Sequence, residues 1–268
     1  MRRIDLSRMS DGTANGARSC AALPPTVKSP QIAASSLEFG EPATGRFAVP
    51  RYLEQLYWWA YIHPAAVRVF ERGWLINLIL FGNYGRLRDA LLTELGATIS
   101  GRTLQIACVY GDLTARLQQR LEVDASLDVV DILPIQLKNL GRKLLPDKRV
   151  ALLQADSSSL PCADASYDQV FLFFLLHEQP PAIRRATLAE SMRVVRPGGR
   201  VVVVDYHRPR LWHPLRPLMK LVFRQLEPFA SELWDRDVVE LLPQSMPPAS
   251  RDKQSFFGGL YQKLVLIR

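Results

Sequence analysis

The chain has 268 residues, is 48% hydrophobic and carries a formal net charge of +8, enough apolar residue to bury the core of one α/β-sized domain with a cap and a tail. Cys20, Cys108 and Cys162 are odd in number and form no C-x-x-C pair, which argues against a disulfide framework or a zinc site and fits a reducing compartment. The most apolar window, 73–81, is interrupted by Asn77 and preceded by Arg68, Glu71 and Arg72, well short of the ~18 continuous apolar residues of a transmembrane helix, whereas the basic balance suits an anionic lipid surface or nucleic acid. The start, MRRIDLSRMSDG, has no apolar h-region, so secretion is not expected. Its Ser, Ala and Arg content leaves a mitochondrial transit peptide open, a reading that Asp5 and Asp11 weaken.

Residues 1–45 are small, polar and Pro-containing without periodicity and read as a disordered segment. Residues 46–100 read as a helical cap broken at His63-Pro64 and Gly82. Leu53, Leu56, Tyr57 and Ala60 form one apolar stripe, and Val67, Phe70, Trp74 and Leu78 form another. Trp58, Trp59, Tyr61 and Trp74, with Arg68, Arg72, Arg86 and Arg88 nearby, fit either a cap packed over a sheet or an interfacial surface that meets lipid headgroups.

Residues 101–268 read as one α/β domain. Thr103–Val109 has strand composition, Gly111 tolerates close backbone approach, and Leu113–Leu121 has helical spacing. A second strand, Leu127–Val130, ends on Asp131, twenty residues beyond Gly111, near the spacing at which a βαβ unit sets a carboxylate on ribose hydroxyls. A helix ends before Pro146, and Arg149–Gln154 is a third strand that delivers Asp156 and Ser157 to the ligand-bearing end of the sheet. VFLFFLL is a buried strand ending in His177-Glu178, a helix spans Ala182–Val195, RPGG turns the chain, and VVVVD leads to Asp205-Tyr206-His207. An Arg/Pro-rich helical insertion, 208–251, precedes a hairpin at Gly258-Gly259 whose last strand is expected at the sheet edge. The fold class is α/β, a doubly wound sheet with a helical cap and a helical insertion before the closing hairpin.

The stretch from Gly101 to Arg200 resembles the core of class I S-adenosylmethionine-dependent methyltransferases with a Rossmann-like sheet. In that register Gln105 stands where an acid is usual, Ala107 and Val109 replace two glycines, and only Gly111, followed by Asp112-Leu113-Thr114, is retained. The resemblance implies that Asp131, with Ile132 beside it, holds the ribose of S-adenosyl-L-methionine and that Asp156, with Ser157, lies near the adenine. It also implies that Gln105, Ala107, Tyr110 and Gly111 surround the methionine end, where a neutral Gln105 holds an ammonium less well than an acid.

A closer resemblance extends outside that core. WWAYIHPAAVRVFERGWLINLILFGNYGRLRDA, LQIACVYGDLT, FFLLHEQP, VVVVDYHRPRLWHPLRPL and LEPFASELW are similar to the rhodoquinone biosynthesis methyltransferase-like family. It implies conversion of ubiquinone to rhodoquinone, a ring methoxy group being replaced by an amino group for anaerobic electron transport, with S-adenosylmethionine as amino source and a manganese (Mn2+) requirement. His177, Tyr206 and His207, at the ends of strands four and five, are then candidates for acid/base work and for donation to the quinone carbonyl, and Tyr110 for reorienting the methionine end. Asp205 and Glu178 are candidate metal ligands, although Asp205 fits a strand-end cap equally well. A polyprenyl quinone requires membrane contact, through residues 52–88 or 212–229, at the cytoplasmic face of the inner membrane or, in a eukaryote, the matrix face. No nucleic acid partner is expected, because LLHEQPP lacks the acceptor-Pro-Pro-aromatic motif of base-amine methyltransferases. An ordinary methyltransferase of a lipophilic acceptor and a non-catalytic cofactor-fold protein are the other two readings.

Overall fold

A computed structural model describes residues 49–268; the segment expected to be disordered lies outside them. At the centre is a seven-stranded sheet in the order β3-β2-β1-β4-β5-β7-β6, built from β1 (Arg102–Ile106), β2 (Ser126–Asp131), β3 (Val150–Gln154), β4 (Tyr167–Phe173), β5 (Val195–Tyr206), β6 (Ser250–Phe256) and β7 (Tyr261–Ile267). The first five strands are parallel and β7 is antiparallel to β5 and β6. Strand order reverses direction between β1 and β4, so the crevice at their carboxyl ends is the switch point where open α/β sheets hold ligands. Runs such as Val201–Val204 and Val170–Leu172 are completely buried because both sheet faces are covered, which is why they are continuously apolar rather than alternating.

Helices α5 (Leu113–Gln118), α6 (Pro134–Gly141) and α7 (Pro181–Val194) connect the parallel strands. The first strand is shorter than expected, ending at Ile106, so Cys108 and Val109 belong to the loop above it. RPGG does not reverse the chain. It is a bulge inside β5, where Tyr167 pairs with Val195 and the next pair is Gln169 with Arg200. A Cβ on Gly199 would lie 2.6 Å from the Asp168 carbonyl oxygen, so the bulge needs glycine there. The last strand is not at the edge: β7 sits between β5 and β6, and β6 takes the edge with Arg251, Asp252 and Lys253, charges that discourage pairing with another chain.

The cap comprises α1 (Arg51–Leu56), a π-helical turn (Trp58–Ile62), α2 (Pro64–Phe70), α3 (Gly73–Ile79) and α4 (Tyr84–Leu95). Breaks fall at His63-Pro64 and near Gly82 as expected, with one more at Arg72. The first stripe holds: Leu53, Tyr57 and Ala60 are buried, and Leu53 and Tyr57 pack with Leu133. Burial of a leucine such as Leu53 contributes roughly 1.5–3 kcal/mol. The second does not, since Val67 is buried but Trp74 and Leu78 are 62% and 64% exposed. Within the insertion, α8 (Arg216–Gln225) and α9 (Glu232–Asp235) bury Met219, Phe223, Leu233 and Trp234 against the main core.

Candidate functional site

Two bulky or non-glycine residues adopt left-handed backbone conformations where the crevice begins: Ala107 (φ 72°) after β1 and Phe174 (φ 55°) after β4. Left-handed geometry at a phenylalanine costs of order 1 kcal/mol and persists where neighbours hold it, here through Phe174 N–H donating to the Val204 carbonyl at 2.8 Å. Between these turns lies a cavity of about 90 Å³ lined by Ala107, Asp131, Ile132, Asp156, Ser157 and Glu178, among others, and roofed by Tyr52, Leu53 and Tyr61 of the cap. Asp131 terminates β2 and accepts the N–H of Cys108 at 2.7 Å and of Leu133 at 2.8 Å. Burial nevertheless raises its pKa to about 6 against those N–H groups. Asp156 accepts the N–H and hydroxyl of Ser158, and Ser157 bonds Thr187 and Gln179. Asp131, Ile132, Asp156 and Ser157, the residues expected around a nucleoside, thus line one cavity.

At the methionine end the arrangement differs from expectation. Gln105 is fully buried and does not face the cavity: its amide donates to the Ala107 carbonyl and its oxygen accepts the Thr114 hydroxyl, both at 2.9 Å. Tyr110 likewise does not line the cavity. Its ring stacks against Tyr61 and Phe70, its hydroxyl donates to the Ala60 carbonyl at 2.7 Å, and it accepts from Gln136 at 2.8 Å. Tyr110 is a strut between loop and cap, not a group turned to substrate. The Gly111 N–H donates to Glu71, whose carboxylate also takes Lys143 at 2.7 Å and Asn139 at 2.6 Å. A Cβ at Gly111 would collide with the Tyr84 hydroxyl, which explains why this glycine of the motif survives.

The second half of the site is a buried acid/base cluster. His177, in the turn after β4, donates from Nδ1 to Asp205 Oδ1 at 2.9 Å; Asp205, completely buried, also accepts the N–H groups of Leu176 and Tyr206. With three donors on it, Asp205 is an acceptor that fixes the proton on Nδ1 and leaves Nε2 facing Glu178 at 3.6 Å and Glu227 at 3.9 Å. Burial disfavours the charged imidazole, and the carboxylates of Asp205, Glu227 and Glu178 overcome it, raising His177 to about 9. Burial also raises Glu178 to about 8, opposed by His177 and by the Tyr61 hydroxyl that donates to it, and pushes Glu227 upward. Glu227 Oε2 and the Tyr57 and Tyr261 hydroxyls are buried with no hydrogen-bond partner among the described residues. Tyr206, as expected, stands beside His177, with ring centroids 4.9 Å apart, and Phe174 and Tyr261 complete an aromatic wall.

Two expectations fail here. His207 does not join the cluster: its Nδ1 bonds the Gly259 carbonyl at 2.9 Å, and burial lowers its pKa. Asp205 and Glu178 do not form a metal pair, because Asp205 is saturated by three donors and Glu178 holds Tyr61. Among the described residues no group of His, Cys, Asp or Glu is arranged to hold a metal ion, so manganese finds no ligand set there. Glu227 was not anticipated, although it is the first acid after nineteen acid-free residues, 208–226. In the sequence Glu71 is a charge flanking an apolar window, and its distance of forty residues from Gly111 hides its role.

This sheet and crevice are those of the class I methyltransferase fold. Human N-acetylserotonin methyltransferase, solved with S-adenosylmethionine, shares it at a TM-score of 0.55 and 15% identity over 82% of this chain and 60% of that one. An O-methyltransferase family protein from Burkholderia thailandensis does so at 0.55 and 17%, over 77% and 61%. In sequence, residues 103–199 match the methyltransferase domain family. A demethylmenaquinone methyltransferase of Beutenbergia cavernae is 36% identical over 146 residues, 54% of this chain and 57% of that protein. A ubiquinone/menaquinone biosynthesis C-methyltransferase of Pseudomonas putida is 33% identical over 140 residues, 50% and 54%. The chain thus spans little more than half the length of these two relatives. An uncharacterised methyltransferase of Synechocystis, 28% identical, is covered over 92% of its length.

Proposed function

We propose that the chain is an S-adenosylmethionine-dependent transferase acting on the ring of a quinone and, within that class, that it converts ubiquinone to rhodoquinone by replacing a ring methoxy group with an amino group. The observation that carries the ring-modifying reading is the His177–Asp205 pair, flanked by Glu178 and Glu227 and walled by Phe174, Tyr206 and Tyr261, beside the Asp131 crevice. A flat ring with oxygen substituents needs apolar walls, a group that gives or takes a proton, and little water, and this cluster supplies all three. His177 Nε2 holds or releases the proton, Asp205 fixes the imidazole, and Glu178 and Glu227 favour the charged imidazole as a carbonyl oxygen gains negative charge. Asp131 and Asp156 would hold the nucleoside, and the cofactor supplies the transferred group when bound.

Amination rather than methylation rests on the resemblance of the cap, insertion and strand-end motifs. The printed names of the two relatives favour a second reading, ring C-methylation of a quinone. Mass spectrometry of the quinones of a ubiquinone-producing host that lacks rhodoquinone, with and without this chain expressed, separates them. The amino-substituted quinone is expected; an added ring methyl would replace the first reading with the second, and an unchanged profile would overturn both. A polyprenyl substrate sets the place of work at a membrane, on the cytoplasmic face of an inner membrane or the matrix face in a eukaryote.

A further inference from the structure

We propose that the insertion before the hairpin presents, from Leu211 to Leu226, a docking surface for an anionic phospholipid bilayer. Helix α8 turns Met219 and Phe223 into the core, 1% and 3% exposed, while Leu218 and Leu221 on its far side remain 44% and 55% exposed. Leu211 and Trp212, just before it, are 78% and 72% exposed. Large apolar side chains scattered singly need no explanation, but a continuous strip on one short segment does.

Charge identifies the partner. Residues 208–226 contain five Lys and Arg residues and no Asp or Glu. Arg208, Arg210, Lys220 and Arg224 are exposed, and none forms an ion pair among the described residues, whereas Arg88, Arg184 and Arg193 all reach carboxylates. The Arg210 guanidinium lies over the Trp212 ring, 5.7 Å from its centroid, setting a cation and an interfacial aromatic together. A helix with leucines facing outward and unpaired cations at its flank lies in the headgroup plane of an anionic membrane. Among the described residues no helix is long and apolar enough to cross a membrane, so the contact is with its surface.

The strip continues toward the cap. Phe81, just after α3, stacks on Phe257, and Phe257 meets His213 edge-on, so these rings link the turn after α3 to the residue that follows Trp212. The insertion leaves the carboxyl end of β5, the end of the sheet where His177 and Asp131 lie, so a bilayer seated here is close to the crevice mouth. That last point rests on the quinone reading; the surface itself does not.

The test is flotation of the full chain with vesicles of phosphatidylcholine alone or mixed with phosphatidylglycerol. The wild type is expected to float with the mixed vesicles. Lys220→Gln with Arg224→Gln is expected to weaken that binding about fivefold per cation removed at low salt, and to change little on phosphatidylcholine. Trp212→Ser with Leu221→Ser is expected to lose binding to both, with thermal unfolding unchanged because both side chains face water. A wild type that stays with the soluble fraction, or two variants that float like it, would overturn the proposal; the first outcome would leave the strip to a protein partner. Turnover of a short-chain, water-soluble quinone by the variants separates docking from chemistry. If no quinone is turned over by the wild type while the flotation pattern holds, the substrate reading falls and the surface stands.

Discussion

Glu71 and Glu227 are both acids brought to the crevice from outside the sheet, one by the cap and one by the insertion, and they are treated in opposite ways. Glu71 has every expected partner: the Gly111 N–H, the Lys143 ammonium and the Asn139 amide. Glu227 has an oxygen buried without any, beside His177 and near the equally unpartnered Tyr57 and Tyr261 hydroxyls. Folding satisfies polar groups where they only hold structure, because a buried orphan costs ~1–3 kcal/mol. Glu227 thus stands beside His177 with an oxygen that no described group occupies, whereas the saturated cluster at Glu71 is a joint that fixes the loop after β1 to the cap.

The sharpest test of that contrast is at the unsatisfied end. His177→Ala should lower turnover by about 10²-fold or more with cofactor affinity retained, read by steady-state kinetics and cofactor titration; unchanged turnover would remove His177 from the reaction. Glu227→Gln keeps the volume and should lower turnover while leaving the thermal midpoint equal or higher, since it removes a poorly satisfied buried charge. At the satisfied end the order reverses. Glu71→Leu should cost about 2–3 kcal/mol in denaturant unfolding by leaving the Gly111 N–H and Lys143 without their carboxylate.

Titration offers a smaller effect with a definite sign. His177 is raised to about 9 from an ordinary 6.5, so the stability it contributes is fully present below about pH 6.5 and is lost as pH rises through about 9. Glu178, raised to about 8 from 4.5, acts in the same direction. The thermal midpoint should fall between pH 6.5 and 9, by of order 2 kcal/mol in stability, and His177→Gln should flatten that slope. A slope of the opposite sign would show that the carboxylates, not the imidazole, are ionised to stabilise the fold. Tyr110→Phe should cost about 1 kcal/mol through the bonds to Ala60 and Gln136 while leaving turnover largely intact, and a large loss of turnover would return Tyr110 to the site.

The sequence by itself determined the strand-helix alternation, the carboxylates at the ends of β2 and β3 and the break points of the cap, because these follow from local apolar runs, Pro and Gly, and a spacing of twenty residues. It also placed His177 and Tyr206 at neighbouring strand ends. It did not determine which way side chains point. Gln105 lies on a strand whose neighbours are buried, and its contacts with Thr114 and the Ala107 carbonyl hold it inward; Tyr110 is claimed by aromatic partners forty-nine and forty residues earlier in the chain. The RPGG bulge, the central position of β7, the saturation of Asp205 and the arrival of Glu71 and Glu227 were decided by tertiary structure alone, since each depends on contacts between segments far apart in the chain, and no local pattern encodes which distant donor will reach a given oxygen.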